Sequence, residues 1–224
     1  MNVSQAVASR RSVRAFLGTP VDPAVLRRVI EAAQMAPSGC NFQPWEATIL
    51  TGAPLRELQQ KMAAAPFQDP VEYDVTPRGI PDEYKRRLKE IGEARGKAEG
   101  IAADDQDARA SFVARNLIGF GAPVLLLCYM PRVMGPPQWS DVGMWLQTIM
   151  LLLRGEGLDS CPQEFLAMHG KLIKQFIGVS DETHIFFCGL AIGHADAEAA
   201  CNTYERTRIP VDAAVRFVGF DQGG

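Results

Sequence analysis

Hydrophobic positions are concentrated between Asp141 and Arg154, a stretch that contains no proline. Ser140 and Asp141 are candidate N-terminal caps, and Gly155 and Gly157 follow the stretch, so the pattern predicts a helix. Its apolar residues do not keep to one stripe, which predicts burial on nearly every side. The run is too short for a membrane span, which needs about 20 apolar residues. We therefore expect this helix in the core of the chain or against a second copy.

Shorter patterns on either side predict a mixture of strands and helices. Apolar runs predict strands at 46–50, 122–129 and 184–192, and a strand or turn at 157–162. Helices are expected at 3–10, from Asp22 with Pro23 in the first turn, from Pro54, and over 172–177. Since one domain typically takes about 100–200 residues, we expect a single α/β or α+β domain over 1–224.

The segment 66–110 differs from its surroundings. Four prolines in 66–81 precede a charged stretch in which Tyr84, Leu88 and Ile91 keep helical spacing. Such an excursion from a compact core is often a functional cover. The sequence therefore predicts a second small lobe or a lid over 66–110.

Composition limits the classes of protein to which this chain can belong. The 224 residues are 47% hydrophobic and 22% charged, values typical of a globular protein. A net charge of −3 gives no broad field for nucleic acid or an anionic membrane. The first residues lack the pattern of a secretory signal, and the five cysteines include no CxxC pair, so we expect reduced thiols in the cytoplasm. The three histidines have no partners at metal-ligand spacing, so no metal site is predicted.

Two groups of arginines stand at opposite ends of the chain, and each lies next to a turn. They are Arg10, Arg11 and Arg14, then Arg206 and Arg208. One interpretation is solvated arginines at helix ends. The other is a pair of arms that close on one phosphate, whose oxygens match arginine in bidentate fashion, with hydroxyl groups of Ser12 and Ser38 as further donors. The residues alone leave both interpretations open.

Four segments resemble, in order, the motifs of the FMN-dependent nitroreductase family. They are RRSVR at 10–14, PSGCNFQPW at 37–45, GLAIG at 189–193, and RTRIP at 206–210 with FVGF at 217–220. The resemblance covers about 4–220 and is weak over 66–110, the part of the family that varies with substrate. It implies an α+β fold with a central mixed sheet flanked by helices. It also implies a homodimer with shared active sites, in which the C-terminal segment crosses to the partner.

The resemblance also assigns FMN-binding positions, in four groups. The residues that would bind the phosphate and the pyrimidine side of the flavin are Arg10, Arg11, Ser12 and Arg14. The C-terminal phosphate clamp is Arg206 and Arg208. The loop that reaches the flavin from the neighbouring subunit carries Pro37, Ser38, Gly39 and Asn41. Backbone over the isoalloxazine, with an amide near N5, comes from Cys161, Pro162, Gln163 and Glu164. Family members commonly have glycine after this glutamate, whereas this chain has Phe165, so the amide that meets N5 stays open.

The implied function is transfer of a hydride from NADH or NADPH, through FMN, to a small acceptor such as a nitroaromatic compound. Because the cofactor carries the hydride, no catalytic dyad is needed. Reduced flavin is anionic along its N1–O2 edge, so a cation at Arg14 favours reduction. Cys161 without a histidine partner is interpreted as a packing thiol rather than a nucleophile.

Several alternatives remain open at this level. Tyr84 and Arg87 are candidate substrate contacts, although a basic run such as 85–87 is often a solvated helix face. Reductive dehalogenation and quinone or enone reduction suit the same scaffold, and so does a flavin-binding protein without turnover. The sequence does not choose between NADH and NADPH, and it does not identify the physiological acceptor.

Overall fold

A four-stranded sheet forms the centre of the computed structural model, which describes residues 1–102 and 104–220. Its strands are β1 (Glu46–Thr51), β2 (Val124–Pro131), β3 (Asp159–Gln163) and β4 (His184–Gly193), in the order β1-β2-β4-β3. All three pairings are antiparallel. The sequence resemblance implied a mixed sheet, with both parallel and antiparallel pairing. Among the described residues, the parallel pairing consists of one bridge between Ser12 and Ser160, at the outer edge of β3.

Seven helices are described around this sheet. They are α1 (Val3–Ser9), α2 (Pro23–Ala33), α3 (Gly52–Ala64), α4 (Asp82–Ala98), α5 (Gln106–Ala114), α6 (Pro136–Gly155) and α7 (Gly170–Phe176). The predicted cap of α2 is present, because the Asp22 carboxylate accepts the Ala24 N–H at 2.8 Å. Short 3-10 turns occupy 39–41, 115–121, 164–169, 200–202 and 211–213. None of the described helices has both the length and the apolar character needed to cross a membrane.

The sheet lies between two helical layers. Alternate residues of β2 point to opposite faces, as the two-residue period of a strand requires. Leu126 and Met130 pack with α2 and α6 on one face, whereas Leu125 and Leu127 pack with α3 and α7 on the other. The α+β class expected from the sequence is confirmed.

Helix α6 begins five residues earlier than the sequence pattern suggested. Two prolines, Pro136 and Pro137, occupy its first turn, where a missing N–H costs no intrahelical hydrogen bond. Asp141 is therefore not a cap but a buried residue inside the helix. A single chain also leaves part of the helix uncovered: Gly143 and Met144 are exposed, and Leu151 is half-buried.

Residues 66–81 contain no helix or strand, yet part of this segment is fixed to the core. The fully buried Lys174 forms ion pairs with Glu72 and with Asp181, the latter at 2.6 Å. The second carboxylate oxygen of Glu72 accepts the Phe186 N–H at 2.8 Å. Glu72 thereby ties the start of the excursion to α7 and β4, and α4 and α5 extend beyond this attachment.

Candidate functional site

The N-terminal segment 10–16 lies along the outer edge of β3. Val13 is buried and donates its N–H to the Ser160 carbonyl at 3.1 Å, next to the Ser12–Ser160 bridge. An edge strand offers unpaired backbone groups, and this segment uses them. The attachment places Ser12 and its arginine neighbours beside Cys161.

The two ends of the chain meet at this segment. Arg206 donates to the carbonyl oxygen of Ala8 at 2.7 Å and to that of Arg10. Arg11 donates to the Tyr204 carbonyl at 2.6 Å, and its guanidinium lies 5.4 Å from the centre of the Tyr204 ring. The structure therefore brings together the two arginine groups that the sequence places about 200 residues apart.

Arg14 is held from several sides. Its Nη1 donates to the Tyr204 hydroxyl at 2.9 Å, and its N–H donates to Asn202 Oδ1 at 2.8 Å. Arg115 donates to the Arg14 carbonyl at 2.7 Å. Sequence reasoning missed Tyr204, Asn202 and Arg115. The polar stretch 201–204, directly before the C-terminal arginines, is the signal that could have identified the first two.

The arginines gather positive charge without a matching anion. In the described part of the chain, none of the five arginines at 10, 11, 14, 206 and 208 forms an ion pair with a carboxylate. Burial and the charges of Arg206 and Arg208 lower the pKa of Arg10. Burial lowers the pKa of Arg206 as well, helped by Arg11 and Arg208. Arg208 is exposed and, within residues 1–102 and 104–220, donates a hydrogen bond only to the Thr207 carbonyl, at 2.7 Å. Such a cluster fits a phosphate group.

Cys161 lies in β3 beside this cluster and is fully buried. Burial raises the pKa of its thiol to about 11, although Arg14 acts in the opposite direction. A thiol of this kind is protonated at neutral pH, which supports the packing interpretation over a nucleophile. Nor do any three His, Cys, Asp or Glu side chains among residues 1–102 and 104–220 form a group that could hold a metal ion.

The end of β3 carries the remaining predicted residues. The Gln163 amide donates to the Asn116 carbonyl at 2.9 Å, whereas its Oε1 is buried without a partner in the described residues. Pro162 is half-buried, and Glu164 is exposed at the start of the turn 164–169.

Gly189 in β4 sets the position of that turn. A Cβ at Gly189 would come within 2.5 Å of Leu166 Cδ1, so a larger residue would have to displace this side chain of the turn. The glycine of the GLAIG motif therefore supports the segment 161–164 from behind.

The loop that carries Pro37, Ser38, Gly39 and Asn41 is built separately. The Gly39 N–H lies 3.2 Å from both carboxylate oxygens of the buried Asp141, and Ser38 Oγ accepts the Gln43 N–H at 2.9 Å. Asn41 has a φ of 58°, a left-handed conformation that asparagine tolerates better than most residues. Pro37, Gly39 and Asn41 are exposed, and Ser38 is half-buried.

This loop and the arginines contact different ends of α6. Gly39 contacts Asp141, whereas Ser9, next to Arg10, accepts a hydrogen bond from Arg154 at 3.3 Å. Asp141 and Arg154 are 13 residues apart in α6, which corresponds to about 20 Å along the helix axis. A single chain therefore does not bring the loop to the arginine cluster.

The two candidate substrate residues lie on α4. The Arg87 guanidinium is 5.0 Å from the centre of the Tyr84 ring, and it pairs with Glu83 at 3.6 Å. Arg87 and Arg208 line one cleft of about 740 Å³ between α4 and the segment 207–210. Tyr84 is half exposed and contributes to the cleft only through its contact with Arg87.

Comparison with known proteins identifies the family. A family model described as the Nitroreductase family matches residues 7–194. A 4-nitrobenzoate reductase of Pseudomonas putida is 36% identical over 219 residues, covering 96% of this chain and 95% of that protein. The crystal structure of the FMN and NADPH-dependent nitroreductase NfnB from sphigopyxis sp. strain HMH is 46% identical, with a TM-score of 0.93 over 98% of this chain and 100% of that one. The FMN-dependent nitroreductase NfnB from Mycobacterium smegmatis, in complex with NADPH, is 28% identical, with a TM-score of 0.89 over 97% and 100%. The resemblance seen in the four sequence motifs is thus confirmed, and this chain belongs to the nitroreductase family.

Proposed function

We propose that this protein is an FMN-dependent nitroreductase that oxidises NADH or NADPH and reduces a nitroaromatic acceptor. The observation that carries the proposal is the convergence of five arginines from both ends of the chain, none of which pairs with a carboxylate of the described residues. A relative at 36% identity is a 4-nitrobenzoate reductase, and a structure at 46% identity is an FMN and NADPH-dependent nitroreductase. These relatives support the same reaction for this chain.

The arginines divide the work of holding FMN. Arg10 and Arg208 would bind the phosphate. Arg206 would hold the N-terminal segment that carries Arg10, through its hydrogen bonds to the carbonyls of Ala8 and Arg10. Arg14 would face the pyrimidine side of the flavin. Its guanidinium is already oriented by the Tyr204 hydroxyl and the Ser12 carbonyl, and Asn202 holds its backbone, so little reorganisation is needed when negative charge develops nearby.

The segment 161–164 would lie against the ring system. The buried Gln163 Oε1 lacks a donor in the described residues, and leaving such an acceptor unpaired costs about 1–3 kcal/mol. When bound, FMN supplies the hydride-transfer chemistry, so the protein contributes binding, orientation and charge.

We infer that the active site is shared between two copies. Three features of the single chain support this. They are the uncovered part of α6, the contacts of the loop 37–41 and of the arginine segment with positions about 20 Å apart along α6, and the tail. In the tail, Val211, Val215, Phe217, Val218 and Phe220 are all exposed. A homodimer that packs α6 against its copy and exchanges tails would cover this apolar surface. It would also supply the loop of one subunit to the flavin of the other.

We further propose that 66–110 is the lid that sets acceptor preference. Arg87 lines the same cleft as Arg208, so it lies near the proposed phosphate site, and Tyr84 stacks on it. Arg87→Ala and Tyr84→Ala should change the order of preferred acceptors while FMN content stays constant. Loss of FMN with an unchanged acceptor order would assign these residues to the cofactor instead.

We also expect the protein in the cytoplasm, because its five cysteines are free and four of them are buried. This location remains a prediction.

One experiment tests the function as a whole. The purified protein is expected to release FMN and no FAD on denaturation, and to oxidise NADPH or NADH faster when a nitroaromatic compound is present. A panel of nitrobenzoates, nitrophenols, halophenols and quinones compares the proposed reaction with dehalogenation and quinone reduction. Bound FMN without turnover of any acceptor would indicate a flavin-binding protein, and FAD or no flavin would refute the proposed site.

A further inference from the structure

A second cavity, of about 160 Å³, lies between α4 and α5, the two helices of the excursion. Its apolar walls include Gly92 and Gly96 on α4 and Phe112 on α5, and its polar lining consists of Arg95 and Arg109. An apolar cavity of about 150 Å³ is known to hold one benzene ring. The volume therefore suits a single aromatic ring. We call this cavity the α4–α5 slot.

Gly92 is the residue that keeps the slot open. Glycine inside a helix is less stable than alanine by about 1 kcal/mol, so its presence needs a reason. At Gly96 the reason is packing, because a Cβ would lie 3.4 Å from the Ile101 carbonyl oxygen. At Gly92 a Cβ would meet nothing within 4 Å, and its φ is not positive. Neither packing nor backbone geometry requires glycine here, and because Gly92 lines the slot, a larger side chain at this position would occupy part of its volume.

The charge of the slot selects the kind of occupant. Neither Arg95 nor Arg109 pairs with a carboxylate in the described part of the chain, and the nearby Glu99 is paired with Arg115 at 3.4 Å. Arg95 donates to the Ile91 carbonyl of its own helix at 3.3 Å. Burial lowers the pKa of Arg95, and the charge of Arg14 lowers it further. A half-buried guanidinium with spare donors favours a carboxylate, which it binds in bidentate fashion.

We propose that the α4–α5 slot binds a small aromatic carboxylate, with the ring between the two helices and the carboxylate on the Arg95 guanidinium. This inference goes beyond the proposed function, because a ligand held there does not have to be reduced. The slot is nevertheless connected to the flavin site. Arg115, which pairs with Glu99 at the end of α4, also donates to the Arg14 carbonyl.

The test is calorimetric titration of the FMN-loaded protein with benzoate and with its uncharged analogue benzamide. Benzoate should bind at least about tenfold more tightly than benzamide, since hydrogen bonds to a charged group are strong. Arg95→Met should remove this preference. Gly92→Leu should fill the slot and weaken both ligands at least about tenfold, without lowering the melting temperature, because leucine is the better helix former.

Lys97→Met is the matched control. It removes one positive charge from the exposed side of the same helix, outside the slot, and should leave benzoate affinity within about twofold. The proposal is overturned if benzoate does not bind saturably, or if Arg95→Met retains the parental preference. Benzoate binding that survives Gly92→Leu would place the ligand elsewhere and overturn it too. If Gly92→Leu lowers the melting temperature, Arg95→Met decides alone. None of these outcomes depends on turnover, so they stand apart from failure of the proposed reaction.

Discussion

Replacing Arg208 with alanine should weaken FMN binding without harming the folded protein. The side chain is exposed, and among the described residues its hydrogen-bond partner is the carbonyl of its neighbour Thr207. Its charge also lowers the pKa of Arg10, so it repels that guanidinium when no anion is present. Arg208→Ala removes this repulsion together with one phosphate ligand. Stability of the apoprotein should therefore be unchanged or slightly higher, within about 0.5 kcal/mol of the parent.

The loss in cofactor affinity should be much larger than this. A hydrogen bond to a charged group contributes about 1.5–3 kcal/mol, which corresponds to a roughly ten- to more than a hundredfold weaker Kd. At a free FMN concentration about 1,000 times the parental Kd, a hundredfold loss removes about 2.7 kcal/mol of FMN-linked stability. For a chain of this size, that lowers the melting temperature of the holoprotein by about 5–11 °C.

The assay is FMN titration of the apoprotein followed by quenching of flavin fluorescence, with thermal unfolding in the presence and absence of FMN. Arg206→Ala is the matched control. Because Arg206 donates to the carbonyls of Ala8 and Arg10, its loss should destabilise the apoprotein by about 1–3 kcal/mol. If Arg208→Ala binds FMN as tightly as the parent, Arg208 is a solvated surface residue and the clamp is wrongly assigned.

Three further predictions concern other parts of the molecule. Lys174→Met should lower the free energy of unfolding in urea by up to about 3–5 kcal/mol, because the buried carboxylate of Glu72 loses its buried cation and keeps the longer ion pair with Arg132, at 3.6 Å. In the parent, the hydrogen bond from Lys174 lowers the pKa of Asp181, so this carboxylate stabilises the fold above its unfolded-state pKa. That contribution is lost as pH falls through the folded-state pKa of Asp181. The free energy of unfolding should therefore fall less steeply with decreasing pH in Lys174→Met than in the parent. The same pH dependence in both proteins would contradict the assignment. Iodoacetamide at neutral pH should modify the exposed Cys40 in the folded protein. It should modify Cys161, whose pKa is raised to about 11, only after the protein unfolds. Rapid labelling of both cysteines in peptide maps would instead show that Cys161 is a reactive thiol. A chain ending at Pro210 should lose dimerisation and FMN together in sedimentation velocity at 450 nm, whereas a full-length monomer that turns over would refute the shared site.

Much of the fold could be predicted because it depends on local patterns. Apolar runs located β1, β2 and β4, and the Asp22-Pro23 pair located the start of α2; the segment 157–162, which contains β3, was predicted only as a strand or turn. The start of α6 was missed because the helix was assumed to begin with the apolar pattern at Asp141, whereas Pro136 and Pro137 occupy its first turn. The same assumption made Asp141 a cap, whereas it binds the Gly39 N–H inside the protein.

What could not be predicted depends on contacts between distant residues. Lys174 and Glu72 are 102 positions apart, and nothing in the local sequence of either announces a buried ion pair. The role of Tyr204 depends on its contacts with Arg11 and Arg14, which become visible only when the chain ends meet. The α4–α5 slot was missed for a related reason, since a glycine in a polar helix carries no signal until its neighbours are known.

The meeting of the chain ends also has a consequence for biosynthesis. Arg10 and Arg206 are 196 residues apart in sequence, and their contact closes nearly the whole chain into one loop. The length-dependent entropic cost of closing such a loop is about 4.7 kcal/mol, so the contact forms only after the intervening sheet has brought the ends together. At about 5–20 residues per second, the ribosome releases the C-terminal arginines roughly 10–40 s after the N-terminal ones. The N-terminal arginines are therefore synthesised well before the C-terminal arginines that complete their site, and we expect FMN to bind only after both groups have been synthesised.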